Sequence, residues 1–308
     1  MLPLNEVIKD TEWDLLINRI QQGRCTPFIG GETCAGMKEI QTAIVKQWAK
    51  KFEDYPFEEN ADLHRAAQFV AVKEDWLSPK YQVVKELSKA APPDLKDPGN
   101  PYRVLAEMPF PIYITTNYHN YMKMALDSIP NPKDAKVEYC RWYPDEMERP
   151  SIFERDSGYE PDPANPVVFH LYGHMDFPES LVLTEDDYFD FLSNVWQDNN
   201  MIPLRIQRAF TNTNLLFLGY RILDWDFRVL FSIVARYLKR NKLGKQFHIA
   251  VQFEPVDDPV LNKQKQLVRD YFQKYFEQLD IRVFWGSSQE FSTRLHERWN
   301  ESLNIRPS

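Results

Sequence analysis

Short apolar runs alternate along this chain with longer stretches whose apolar residues recur every three or four positions. Residues 10–22 put Trp13, Leu15, Leu16, Ile17 and Ile20 at helical spacing, and Gly23 ends the helix. The apolar run 26–30 closes on Gly30 and predicts a buried strand. Helices are predicted at 39–51, 63–71 and 81–90, then a proline-rich linker at 91–101 and a second strand at 110–116. A helix at 118–128 leads into 131–165, which is proline-rich, charged and aperiodic, and reads as an irregular excursion or small lobe. Strands at 166–171 and 214–218 bracket helices at 183–192 and 201–210. The tail alternates helix 224–239, strand 246–252, helix 259–279, strand 281–285 and helix 289–300.

Apolar strands alternating with amphipathic helices imply βαβ units. The expected fold is α/β: a Rossmann-like parallel sheet covered by helices on both faces. It is read as a single domain over 1–308, with a helical insertion at 39–107 after the first strand.

Composition removes several classes. With 37 basic and 45 acidic side chains the net charge is −8, which disfavours a phosphate-coating role, so no direct nucleic-acid partner is expected. The three cysteines, Cys25, Cys34 and Cys140, form no C-x-x-C pair and exclude a four-cysteine zinc site; no metal is expected. The first residues lack a basic stretch followed by an apolar run, and nowhere do about 18 apolar residues follow one another. A cytoplasmic protein without a membrane segment is expected.

In an open parallel sheet, ligands bind at the carboxyl ends of the strands. Those ends here carry Gly30-Gly31-Glu32-Thr33-Cys34-Ala35-Gly36, then Asn117-Tyr118-His119, Tyr172-Gly173-His174 and Gly219-Tyr220-Arg221. Glycines follow three of the four strands in a sequence with only 10, and Asn and His stand beside them. Each piece alone is a turn; in this order they predict one crevice.

Four segments carry a resemblance: Cys25-Thr26-Pro27-Phe28-Ile29-Gly30, Tyr113-Ile114-Thr115-Thr116-Asn117-Tyr118, the run from Pro178 to Tyr188, and the run from Phe217 to Phe227. Through them nearly the whole chain resembles the sirtuin-like (silent-information-regulator-like) NAD-consuming domains of prokaryotic antiviral defence systems. The resemblance implies NAD as substrate, hydrolysis of its nicotinamide–ribose bond, and an abortive-infection role. It also implies a homo-oligomer answering to a sensor or activator protein. Asn117 would position the ribose and the attacking water. Gly30, Gly31 and Thr33 would approach the pyrophosphate, with Thr116, Gly219 and Asp224 completing the NAD site.

Three departures from the family pattern matter. The loop reads Gly30-Gly31-Glu32 where the family has Gly-x-Gly, and a glutamate about 4 Å from a pyrophosphate is repelled by ~1–4 kcal/mol. His119 replaces an aspartate, and Tyr172 replaces the histidine that serves as base or orients the ribose. Tyr172, His170 and His174 therefore join Asn117 as catalytic candidates, with His170 and Tyr172 expected on one strand face. Plainer readings stand beside these: Asn117 as a helix cap, His170 as a satisfied core histidine, and Glu185, Asp186 and Asp187 as a solvated first helical turn. Two functions remain: an active NAD glycohydrolase, or a catalytically impaired NAD-binding or scaffold subunit that assembles with an active partner.

Overall fold

The computed structural model describes residues 8–34, 36–58, 62–143, 149–197, 201–221, 225–240, 248–252, 265–278 and 280–304. Its strands are β1 (Cys25–Ile29), β2 (Ile112–Thr115), β3 (Lys136–Tyr139), β4 (Val167–His170), β5 (Asn214–Leu218), β6 (His248–Gln252) and β7 (Ile281–Trp285). They form one parallel sheet in the order β3-β4-β2-β1-β5-β6-β7.

Side chains alternate across this sheet, so each strand feeds two cores. Ile29, Tyr113, Val168, Leu216 and Ile249 enter one; Phe28, Ile114, Phe169, Phe217 and Ala250 enter the other. The first face is covered by α1 (Asp10–Gln21), α2 (Met37–Lys51), α3 (Leu63–Lys73), α4 (Ser78–Leu87), α5 (Pro101–Glu107), α6 (Tyr121–Ser128) and the last helix, α12 (Ser288–Asn304). The second is covered by α7 (Ile152–Arg155), α8 (Glu185–Gln197), α9 (Leu204–Asn212), α10 (Trp225–Arg240) and α11 (Lys265–Glu277). The α/β, Rossmann-like expectation holds, and α2 to α5 all lie between β1 and β2.

Pro27 stands in a strand paired on both sides, where a missing N–H normally costs a ladder bond. Gly30 N–H bonds Leu218 of β5, while the Ile29 carbonyl bonds Thr116 beyond β2. Residues of β1 thus alternate between neighbours, and Pro27 turns its imide toward β2. There the pairing begins only at Phe28, so no bond is lost.

The span 131–165 contains the edge strand β3 and the short helix α7, which its charge and prolines hid. Glu138 in β3 is buried because it is satisfied: it accepts from Tyr139 N (2.8 Å) and Ile152 N (2.5 Å) and pairs with Arg141 at 2.6 Å. Helix α5 was likewise masked by the prolines before it. Asn100 caps it, accepting from Tyr102 N at 3.0 Å, and Pro101 occupies the first helical position, where no N–H is needed.

One expected surface residue is internal. Asp187 is 1 % exposed and pairs with the equally buried Lys80 of α4 at 3.0 Å. Its other donors are Trp76 Nε1 (2.8 Å), Leu183 N (2.9 Å) and Thr184 N (2.8 Å). Thr184 caps α8, accepting from Asp187 N at 3.1 Å. Among the described residues, no helix is long and apolar enough to cross a membrane.

Candidate active site

The chain leaves β1 for β2 on one side and returns as β5 on the other, so the two crossovers part at the carboxyl end of β1. Open α/β sheets bind ligands at such a switch point. Two glycines allow the diverging loops to touch there. A Cβ on Gly30 would overlap the Gly219 carbonyl and lie 2.7 Å from the Tyr220 ring. A Cβ on Gly219, at φ +73, would fall on the Thr33 hydroxyl and backbone N. Hydrogen bonds tie the loops together: Glu32 N to Gly219 O (3.0 Å) and Thr33 Oγ1 to Leu218 O (3.2 Å). Gly219→Ala is expected to cost about 2–4 kcal/mol, from the left-handed backbone and the overlap together, read as a lower urea midpoint.

The junction opens into a cleft of about 1080 Å³, bordered by Gly31 to Cys34, the first turns of α2, the 93–101 segment, Gly219 to Arg221, and the start of α12. Lys38 and Lys46 of α2 border it together with Glu39, Asp94 and Asp97, so its side-chain charge is mixed, and what favours an anion is the amino end of α2 with its first N–H groups and helix dipole. The Glu32 carboxylate does not face such a ligand alone, because Arg221 pairs with it at 3.0 Å. Gly31, Met37, Gln41 and Thr116 border both this cleft and an inner chamber of about 50 Å³. Ile44, Leu63, Val83 and Leu87 make the chamber apolar, and His64, Asn117 and His119 also line it.

Asn117 is 8 % exposed and held through its backbone and side chain alike. Its N–H donates to Thr115 Oγ1 at 3.0 Å, and its carbonyl faces His170 Nδ1 at 2.8 Å. Its Nδ2 donates to Gly30 O at 3.1 Å and to the Tyr102 hydroxyl at 3.3 Å. A carbonyl only accepts, so the amide hydrogens must point that way. Oδ1 is left beside Gly31, 3.8 Å from where a Cβ would stand. At this strand end Asn117 offers an acceptor to whatever enters. It does not cap α6: the cap position falls on Asn120.

The structure brings Gly31, Thr33, Thr116 and Gly219 to the cleft and Asn117 to its inner end; Gly30 supports them from behind. Asp224 lies outside the described residues. The other candidates lie elsewhere. The strand alternation ends at His170, the chain turns at Leu171, and both Leu171 and Tyr172 enter the second core. Tyr172 packs edge-on against Tyr188 and Phe191 there, away from Asn117. His170 stays on the first face behind Asn117, where its carbonyl bond makes Nδ1 the protonated nitrogen. His174 borders a separate groove with Asn120, Arg141 and Phe177. Its nitrogens are matched as a neutral ring, Nε2 to Asn120 Oδ1 (2.5 Å) and Nδ1 from Asp176 N (3.2 Å).

These imidazoles are held uncharged. Burial pushes His119 down to about 3, and burial aided by His174 pushes His170 well below the usual 6.5. Burial also lowers His248 of β6, to about 4. All three are neutral when folded, whereas in the unfolded chain they titrate near 6.5 and take up protons as the pH falls. Stability is therefore full above about pH 7 and is lost on acidification toward the folded values. At about pH 5.5, His119 and His248 are each expected to have removed ~1.4 kcal/mol, with His170 adding in the same direction. Urea titrations at pH 7.5 and 5.5 measure the difference.

Three residues at the site carried no sequence signal of their own: Gln41, His64 and Tyr102. They come from α2, α3 and α5, distant in sequence from the strand ends. Tyr220 follows a strand, and its hydroxyl accepts from Thr116 Oγ1 at 3.2 Å. Among the described residues, no group of three or more His, Cys, Asp or Glu is gathered to hold a metal ion.

Comparison with known proteins gives a relative and a family. The NAD(+) hydrolase ThsA of Cytobacillus dafuensis is 22% identical over 234 residues, which cover 74% of this chain and 42% of the relative. The chain thus spans less than half the length of that protein. The family described as SIR2-like domain matches residues 111–284, from the segment bearing Asn117 to the last strand of the sheet. That span is more than half of the sequence, and the chain belongs to the SIR2-like domain family.

Proposed function

We propose that this chain hydrolyses NAD at the nicotinamide–ribose bond, releasing nicotinamide and ADP-ribose, and that it serves as an antiphage effector of the abortive-infection kind. The observation that carries the reading is the Asn117 acceptor at the inner end of a glycine-lined cleft. The 22% identity to a protein named as an NAD(+) hydrolase supports the NAD-consuming class.

Each part of the substrate has a counterpart. The pyrophosphate lies against Gly31 to Thr33 and the amino end of α2, with Lys38 nearby. The adenosine extends along Gly219 and Tyr220. The nicotinamide ring enters the apolar chamber between Ile44, Leu63 and Val83, which has to widen from about 50 Å³ to admit it, and this places the ribose beside Asn117. The C1′–N bond breaks with its electron pair going to nicotinamide, which leaves an oxocarbenium-like sugar. Asn117 Oδ1 accepts from a ribose hydroxyl or from the attacking water and fixes its direction. Water oxygen bonds to C1′, and its proton leaves to solvent. Cationic nicotinamide is already a good leaving group, so orientation and water placement carry more of the rate than proton transfer.

A second reading, NAD binding without turnover as a scaffold subunit, is favoured by the position of Tyr172, which turns into the core where the family has a histidine. In either reading the chain works in the cytoplasm as a homo-oligomer under a sensor or activator protein. Chromatography of NAD incubated with the purified chain, at low and high protein concentration, separates the two. The hydrolase reading predicts nicotinamide and ADP-ribose in equal amounts. Intact NAD at every concentration, with binding retained in calorimetry, overturns it in favour of the scaffold.

A further inference from the structure

The Asn117 side chain is held by a residue from an element far from the strand-end motifs. We propose that Tyr102 of α5 is a positioning residue, whose hydroxyl keeps the Asn117 amide turned so that Oδ1 faces the substrate; this rests on the site reading above.

Asn117 has two amide hydrogens and two acceptors to receive them, the Gly30 carbonyl and the Tyr102 hydroxyl. With both in place a rotated amide would set Oδ1 against the Gly30 carbonyl, two acceptors face to face, and that orientation is shut out. Without the hydroxyl, one N–H of a side chain that is 8 % exposed loses its partner. The amide, anchored then only through its other N–H to the Gly30 carbonyl, swings about its Cβ–Cγ bond, and the acceptor is no longer held toward the ribose.

Tyr102 is itself fixed. Its backbone N–H is capped by Asn100 at 3.0 Å, and its ring meets Tyr121 edge-on at 6.2 Å. It is 1 % exposed, and burial raises its phenol well above the usual 10, so the hydroxyl stays protonated across the working range. Helix α5 packs against α6 and α12. The elements between β1 and β2 thus wall the inner chamber and also aim the asparagine at its mouth.

Tyr102→Phe keeps the ring and removes only the hydroxyl, and thermal unfolding checks that the fold is retained. The expected result is a fall in kcat of about tenfold with KM for NAD within about twofold, because the aim of one acceptor is lost and the cleft is untouched. In an Asn117→Ala background the same change is expected to have no further effect. A readout without substrate accompanies it: the Asn117 side-chain amide resonances of ¹⁵N-labelled protein, of which one proton should move upfield and exchange faster in Tyr102→Phe. Unchanged amide resonances, or an equal loss of turnover in the Asn117→Ala background, overturn the proposal. If the wild-type chain shows no turnover at all, the hydrolase reading fails, and the amide resonances alone decide the role of Tyr102.

Discussion

Asn117→Ala is expected to lower nicotinamide release at saturating NAD by about 10²–10³-fold, the range seen when one preorganised polar group is removed from a transition state. The side chain is the acceptor at the inner end of the cleft, and its neighbours cannot replace it. The Gly30 carbonyl points at the amide nitrogen, the Tyr102 hydroxyl lies behind it, and His170 is occupied with the Asn117 backbone. The substitution also removes two side-chain hydrogen bonds, so a stability loss of about 1–3 kcal/mol accompanies it. Turnover is therefore compared with urea midpoints on the same preparations. KM should change far less than kcat, because the pyrophosphate and adenosine contacts lie elsewhere in the cleft. A variant that retains turnover within about threefold would remove Asn117 from the chemistry and turn attention to His64 and His119, which share the chamber with it.

The second large effect is structural. Asp187→Ala should destabilise the chain by about 3–5 kcal/mol, because it leaves the buried Lys80 ammonium without its carboxylate. Burial already draws Lys80 down to about 8 despite Asp187, so its charged form is poorly supported even with the partner present. The Trp76 ring, 3.6 Å from the ammonium, offers only partial replacement. Trp76 Nε1 and the Leu183 and Thr184 N–H groups lose their acceptor at the same time. Lys80→Met should cost less, because the Asp187 carboxylate keeps those three donors. The pair joins α4 to the start of α8, and α4 supplies Val83 and Leu87 to the chamber. Asp187→Ala should therefore raise KM for NAD as well as lower the urea midpoint. A midpoint unchanged by Asp187→Ala would mean that Lys80 finds water or another anion, and that the two faces are joined mainly by apolar packing.

What the sequence made legible follows a physical pattern. Runs such as Phe217 and its neighbours in β5, buried on both faces, read as strands because each position must be apolar. Strand β3 did not, because its glutamate is satisfied by an arginine and two backbone groups that no local pattern reveals. The glycines at 30 and 219 and Asn117 were readable because a backbone close approach and a strand-end acceptor constrain residue type locally. Tyr102 and His64 were not, since helices placed by tertiary packing bring them to the site. Tyr172 shows the limit of periodicity: two-residue alternation put it with His170, but the strand stops at His170 and the turn sends it to the opposite core. Asp187 shows the limit of composition, since three acidic residues at a helix start look alike until one of them meets Lys80.

The most direct test of the account is a crystal structure of the Asn117→Ala variant with NAD. The account predicts the pyrophosphate on Gly31 to Thr33 at the amino end of α2, and the nicotinamide in the chamber lined by Ile44, Leu63 and Val83, widened to hold the ring. The ribose C1′ should then lie beside the truncated position 117. NAD in the groove beside His174, or along the cleft with its nicotinamide outside the chamber, would contradict the account.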